Sequence, residues 1–189
     1  MQAPRPLPPL LRELLHASKV AREPRLEGVI AALGLAHEGP LWGFDFVEFT
    51  SPVYRPLLGG DGALIVPVFD DSLIVDLVAC RVADRHIATR QGAARALGED
   101  WIDLAALNRS RLALFSDPLR WLMAGRRGAV VLDWRQAPFL FDGVDRITCD
   151  SPALASRVHA ATRRMAWPPK SCLVHQMGKE ICIRASHRH

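Results

Sequence analysis

The sequence predicts an α/β fold: a small, largely parallel sheet with helical crossovers, preceded by a β-hairpin and two N-terminal helices. The observations that predict it lie between Arg109 and Met165. Short apolar runs occur there at 112–115, 129–132 and 146–149, and each ends at an aspartate. Helix-like segments follow the first and the third run. This alternation of strand and helix is typical of a parallel sheet with helical connections.

Two short amphipathic helices are expected at the N-terminus, after a proline-rich lead-in at 1–9. Leucines at helical spacing define the first helix, and Pro24 suits the first turn of the second. Gly34 follows the second apolar stripe and is a plausible C-terminal residue. We expect these helices to cover one flank of the sheet; a docking hairpin for a partner is the alternative reading.

Strand patterns follow the helices. Residues 44–49 alternate between apolar and acidic side chains, which predicts a strand. The apolar runs 64–69 and 73–82 are joined by Asp70-Asp71-Ser72, which is typical of a hairpin. Pro67 cannot donate to a ladder, so the first of these runs is expected at a sheet edge. Residues 84–92 are expected to be a loop, and short helices are expected at 93–97 and 101–107.

Helix-capping signals are clear in the alternating stretch. Asp117 is placed to cap a helix that begins at Pro118. Asp150 or Ser151 is placed to cap the last helix. We therefore divide the chain into an N-terminal helical hairpin (1–40), a hairpin-containing subdomain (41–108), the alternating core (109–165) and a basic tail with a small hairpin (166–189), all within one compact domain.

The composition limits the classes of protein to which this chain can belong. The chain has 189 residues, of which 49% are hydrophobic, enough for a sizeable core. No apolar run approaches the roughly 20 residues that a membrane-spanning helix needs. The first residues lack the pattern of a secretory signal. The four cysteines form no C-x-x-C pair, which indicates reduced thiols in a cytoplasmic protein without a membrane partner.

Positive charge is concentrated at the C-terminal end. Residues 151–189 carry seven Lys or Arg against one acid, a net charge of +6, whereas the other 150 residues sum to −2. A basic end on a near-neutral body favours a polyanion partner, most simply nucleic acid. A solvated basic surface without a partner is the alternative. The candidate nucleic-acid-binding residues are Arg157, Arg163, Arg164, Lys170, Lys179 and Arg184.

The aspartates Asp117, Asp133 and Asp150 are the candidate catalytic and metal-binding residues. If their strands are parallel neighbours, the three carboxylates converge at one edge of the sheet. Carboxylates gathered there suit Mg²⁺, which could assist phosphoryl transfer. Helix capping alone explains Asp117 and Asp150, and it is the favoured interpretation.

Residues 63–162 resemble the toprim region of primase-type replication proteins of phages and plasmids. The hairpin IVPVFDDSLIVDLVACRV, the loop ATRQG, and the segments RLALFSDPLRWLMAGRRGAVVL and DRITCDSPALASRVHAA carry this resemblance. The family has Glu-Gly after its first core strand and an Asp-x-Asp pair after a later one. This chain has Ser116-Asp117 at the first place, and Asp150 is followed by Ser151 and Pro152 at the second. The resemblance thus implies a toprim-like module that binds rather than catalyses.

A second possible metal site, for zinc, lies in the C-terminal tail. Its residues could supply four nitrogen and sulfur ligands, although the spacing matches no established zinc motif: Cys172, His175, Cys182 and His187. The sequence contains no nucleophile elbow, phosphate-binding loop or dinucleotide fingerprint.

Three functions remain open. The first is a non-catalytic toprim-like module of a mobile-element or phage replication system that binds nucleic acid or a replication protein. The second is a Mg²⁺-dependent phosphoryl-transfer or nuclease-type enzyme that uses the three aspartates. The third is a structural protein-interaction domain. The incomplete family motifs favour the first over an enzyme.

Overall fold

The structure is a computed structural model that describes residues 7–35, 42–163, 171–176 and 179–183, the last two ranges for their backbone only. The chain divides into two compact units, Met1–Ala94 (unit 1) and Arg95–His189 (unit 2). Each unit has a sheet and a hydrophobic core of its own. No helix among the described residues is long and apolar enough to cross a membrane.

Unit 1 is a curled antiparallel sheet with a helix packed on it. The strand order is β2-β1-β3-β4-β5, and every neighbouring pair is antiparallel. Val53, just before β2, forms a bridge with Thr89 of β5, so the sheet curls into a half-barrel. The elements are α1 (Pro9–Val20), a 3₁₀ turn (Pro24–Leu26), α2 (Glu27–Ala32), β1 (Gly43–Phe49), β2 (Tyr54–Pro56), β3 (Asp61–Asp70), β4 (Leu73–Arg81) and β5 (Ile87–Thr89).

Helix α1 packs on one face of this sheet. Its apolar stripe of Leu10, Leu14 and Ala17 is buried in one cluster with strand residues such as Ile65 and Leu77. The spacing of the stripe is that of a helix with one buried face. The two expected N-terminal helices are present. Helix α1 packs on a sheet, but on the antiparallel sheet of unit 1 and not on the flank of the predicted parallel sheet.

The expectation of a largely parallel sheet is wrong. All neighbouring strands of the five-stranded sheet in unit 1 pair antiparallel, and the described strands that pair in parallel are the short strands β7, β9 and β10 of unit 2. The hairpin of β3 and β4 was predicted, with Asp71 at its turn in the left-handed region (φ 53°). The sequence did not reveal that β1 and β5 pair with the two outer sides of this hairpin, because strand pairing over long separations leaves no local pattern.

The structure also differs from three local predictions for residues 67–97: an edge strand at Pro67, a loop at 84–92 and a helix at 93–97. Strand β3 is central, yet β1 begins at Gly43 opposite Ile65. Pro67 therefore lies beyond the residues of β3 that pair with the described part of β1, so its missing N–H interrupts none of that pairing. The expected loop 84–92 contains strand β5, and the expected helix at 93–97 is absent from this described stretch.

Unit 2 contains the alternating stretch. Its main sheet has the order β11-β10-β9-β7, with β7, β9 and β10 parallel and β11 antiparallel, and β6 pairs with β8. Strand residues such as Leu112, Leu114 and Ile147 are buried against Ala155 and Val158 of α6. The elements are β6 (Ala96–Leu97), α3 (Glu99–Leu107), β7 (Arg111–Leu114), α4 (Pro118–Met123), β8 (Val130–Val131), α5 (Ala137–Leu140), β9 (Arg146–Cys149), α6 (Pro152–Thr162), β10 (Ser171–Gln176) and β11 (Lys179–Ile183).

A polar cluster of Glu13, Tyr54 and Arg90 fastens α1 to the sheet of unit 1. The hydroxyl of Tyr54 donates to Glu13 Oε1 over 3.1 Å, and Arg90 Nε donates to both oxygens of the same carboxylate at 3.1 and 3.0 Å. Tyr54 is 1% exposed. A single partly buried carboxylate thus joins the helix, strand β2 and the segment after β5.

Tyr54 is expected to stay protonated at pH values at which an exposed tyrosine ionises. Burial, with the negative charge of Glu13, raises the pKa of Tyr54 above its usual value of about 10. The unfolded chain ionises near that pH and the folded chain does not. The stability that the protonated hydroxyl contributes is thus present below about pH 10 and is lost as the pH rises further.

The measurement is an alkaline absorbance titration, which reports on Tyr54 alone because the chain has one tyrosine. Tyrosinate should form only together with the loss of structure seen by circular dichroism. Ionisation at about pH 10 with an unchanged dichroism spectrum would contradict the prediction.

Candidate carboxylate site and basic surface

Parallel strands β7 and β9 bring two of the three predicted aspartates together. The strands are in register, with Leu114 opposite Cys149, so both end at the same edge of the sheet. The backbone N–H of Asp150 donates to the carbonyl of Leu114 over 3.1 Å, which continues the ladder by one residue. Asp117 and Asp150 therefore lie side by side, as the strand pattern predicted.

Ser116 links these two carboxylates. Its backbone N–H and its hydroxyl each lie 2.9 Å from Asp150 Oδ2, and the hydroxyl oxygen lies 3.2 Å from Asp117 Oδ2. Asp117 Oδ1 accepts the N–H of Arg120 over 3.0 Å, which caps α4. Helix α6 is capped by Ser151, whose hydroxyl accepts the N–H of Leu154. Of the two predicted capping options for α6, Ser151 is the one observed.

Arg120 neutralises part of the charge on this edge. Its Nε lies 3.6 Å from Asp117 Oδ2, and its Nη1 lies 3.6 Å from Asp150 Oδ2. Neither Ser116 nor Arg120 was among the predicted site residues, although Ser116 stands at the place of the family's Glu-Gly. The spacing of three residues between Asp117 and Arg120, on the first turn of a predicted helix, is the signal that could have found Arg120.

The third aspartate is engaged elsewhere. Asp133 forms a bidentate ion pair with Arg135, in which both nitrogen–oxygen distances are 2.9 Å. The hydrogen bonds from the Arg135 side chain hold the pKa of Asp133 below its usual value. Within the part of the chain that the structure describes, no group of three His, Cys, Asp or Glu residues is arranged to hold a metal ion.

One carboxylate oxygen at this edge has no protein partner among the described residues. Asp150 Oδ1 is buried and accepts no hydrogen bond there, although the side chain as a whole is 11% exposed. Mg²⁺ is often held by one or two carboxylates together with water. Asp150 and Asp117 could supply two carboxylates. However, Ser116 and Arg120 contact Oδ2 of Asp150. At Asp117, Oδ1 accepts the capping N–H and Oδ2 faces Arg120.

Two of the predicted basic residues fall in the described part of unit 2. The guanidinium of Arg157, on the exposed face of α6, lies 4.3 Å from the centroid of the Trp134 ring. Desolvation there lowers the pKa of Arg157 from its very high usual value. Arg163 is exposed at the C-terminal end of α6, where a positive charge complements the helix dipole.

The remaining candidates cannot be placed. Arg164, Lys170, Arg184 and His187 lie outside the described residues, as do the side chains of Lys179, Cys172, His175 and Cys182. The backbone around the last three forms the expected hairpin of β10 and β11. The zinc hypothesis stays a prediction.

Comparisons of the chain with protein-family models, with curated proteins and with solved structures find no match.

Proposed function

We propose that this chain is a non-catalytic, toprim-like module of a mobile-element or phage replication system, working in the cytoplasm and binding nucleic acid through the surface of α6 and the basic tail. The observation that carries the proposal is the pairing of Arg157 with Trp134. A guanidinium stacked on an aromatic ring loses little freedom on binding, and it keeps its N–H groups for a phosphate.

The carboxylate edge supports binding over catalysis. Ser116 and Arg120 direct their donors at Asp117 and Asp150, and Asp117 caps a helix. These contacts give both aspartates a structural role. Asp133 is paired with Arg135. Residues 151–189, in contrast, carry a net charge of +6.

Labelled single-stranded and duplex DNA and RNA, titrated with the full chain and followed by fluorescence anisotropy, test this proposal. We expect micromolar binding that weakens steeply with salt, because phosphate contacts release counterions. The double variant Arg157→Gln, Arg163→Gln should bind more weakly and should reduce the logarithmic salt slope by about two.

The matched control is Arg55→Gln, which removes an exposed positive charge from strand β2 of unit 1. It should leave the affinity close to that of the wild-type chain. Absence of binding at low salt, or equal losses in the control and in the double variant, would overturn the proposal and leave the structural interaction domain.

A Mg²⁺-dependent phosphoryl-transfer enzyme is the second candidate, favoured by the buried, unpartnered Oδ1 of Asp150. The same titrations, repeated with Mg²⁺ and followed by gel analysis of the nucleic acid, separate it from the first. Cleavage or extension that requires Mg²⁺ and disappears in Asp150→Asn would establish the enzyme. Intact nucleic acid bound equally well by Asp150→Asn would exclude this activity on the substrates tested.

A further inference from the structure

A cleft of about 260 Å³ lies between α3 and β7 of unit 2. Leu112 and Ala105, which are 1% and 3% exposed, form its apolar base. Trp101 and Leu104 of α3 form one wall, and Arg127 stands at the other side. The volume accommodates one large apolar side chain rather than a cofactor, since pockets for drug-sized molecules begin at about 300 Å³.

Helix α3 exposes more apolar surface than a helix packed on one face needs to. Trp101 is 38% exposed, Leu104 is 46% exposed and Leu107 is 82% exposed. All three lie on one helix of nine residues, and two of them line the cleft. A contiguous exposed patch of this kind next to a concave pocket is typical of a protein-binding surface.

One side of the cleft is positively charged and the other is apolar. Arg111 and Arg127 line the β7 side, and both are exposed. Helix α3 lines the cleft with uncharged residues, and its exposed Asp100 and Asp103 lie outside the lining. An acidic peptide can place its carboxylates on the arginine side and its apolar side chains against α3, whereas the aspartates on the same helix disfavour a continuous phosphate backbone.

We propose that this cleft docks an acidic, apolar peptide segment of a protein partner. An aromatic or aliphatic side chain of the segment enters the cleft and packs against Trp101 and Leu104, and a neighbouring carboxylate pairs with Arg127. A buried apolar anchor with a charged pair at its rim is the usual way in which short peptides gain affinity and orientation. The site is separate from the surface of α6, so it stands whether or not nucleic acid binds there.

A phage-displayed library of random short peptides, selected on the purified full chain, tests the proposal. We expect enriched peptides to share an aromatic or aliphatic residue next to Asp or Glu. Enriched peptides, synthesised and labelled, should bind Leu104→Asp and Arg127→Glu about ten-fold more weakly than the wild-type chain or worse. Both substitutions are at exposed positions, so the fold should be kept, which circular dichroism checks.

The control is Arg22→Glu, an equal charge reversal at an exposed residue of unit 1, which should bind the peptides as the wild-type chain does. Peptides in which lysine replaces the acidic residue should recover affinity for Arg127→Glu. No enrichment, or equal binding to all variants, would overturn the proposal. Loss of oligonucleotide binding in Leu104→Asp and Arg127→Glu, without any peptide binding, would assign the cleft to nucleic acid instead.

Discussion

Replacing Asp76 with alanine is expected to destabilise unit 1 by about 4 kcal/mol. Asp76 is a carboxylate with 0% exposure in the middle of strand β4. Both of its oxygens accept backbone hydrogen bonds, three at Oδ1 and two at Oδ2, over 2.8 to 3.1 Å. The donors are the N–H groups of Leu77, Arg90, Gln91, Ala93 and Ala94.

The size of the effect follows from the number of amides that depend on one side chain. A hydrogen bond to a charged acceptor contributes about 1.5 to 3 kcal/mol, and a buried donor left without a partner costs a similar amount. Arg90, Gln91 and Ala93 lie where the chain is only partly buried, so water can replace the carboxylate at some of these amides. The expected loss in the free energy of unfolding is therefore smaller than the sum of five complete hydrogen bonds.

Urea unfolding of the wild-type chain, Asp76→Ala, Asp76→Asn and Asp84→Ala measures this effect. Asp76→Asn keeps one acceptor oxygen but turns an NH₂ group toward backbone donors, so its loss should lie close to that of the alanine variant. Asp84 is an exposed aspartate of the same unit, whose hydrogen bonds with the His86 N–H and the Arg81 side chain lie at the surface. Its replacement should therefore cost much less stability than that of Asp76. Similar losses in Asp76→Ala and Asp84→Ala would show that the buried network contributes little.

Asp76 also shows why part of the structure could not be predicted. It lies within the apolar run 73–82, where the sequence indicates a strand and gives no sign that one polar side chain will organise a distant segment. Its partners at 90–94 are more than a dozen residues away. The sequence patterns there predicted a loop followed by a helix, because side-chain to backbone contacts across a sheet leave no periodic signal.

Local signals, in contrast, were sufficient to predict the carboxylate edge, where Asp117 lies beside Asp150. Asp117 and the prolines that follow the caps predicted helices α4 and α6, and two parallel strands then placed Asp117 beside Asp150. Asp133 follows strand β8, which pairs with β6 and meets β7 at a parallel bridge between Ala129 and Leu114. Its carboxylate is held by Arg135 two residues on. Strand order decides which aspartates meet, and strand order is a property of the whole fold.

Gly43→Ala is the second substitution expected to have a large effect, a loss of about 3 kcal/mol in the stability of unit 1. A Cβ at Gly43 would lie 2.5 Å from the carbonyl carbon of Ala17 and 2.6 Å from the backbone nitrogen of Ser18. These are backbone atoms of α1, so no side chain can rotate away. The helix would have to move off strand β1.

That movement would also disturb neighbouring contacts. The hydroxyl of Ser18 donates to the carbonyl of Trp42 over 3.2 Å, at the start of the same strand. Ala17, Leu10 and Leu14 are buried against the sheet beside this contact. Because the interior is closely packed, a small outward shift of α1 loosens all of them together.

Gly28→Ala is the matched control for this prediction. Gly28 lies in helix α2 of the same unit, and a Cβ there meets no atom within 4 Å. Alanine should stabilise that helix by up to about 1 kcal/mol, because it removes backbone freedom from the unfolded chain. The same chemical change should thus lower the urea midpoint at position 43 and raise it slightly at position 28. Equal midpoints for the two variants would mean that α1 does not pack on β1 as closely as the structure places it, and the anchoring of Glu13 to Tyr54 and Arg90 would then have to be reconsidered as well.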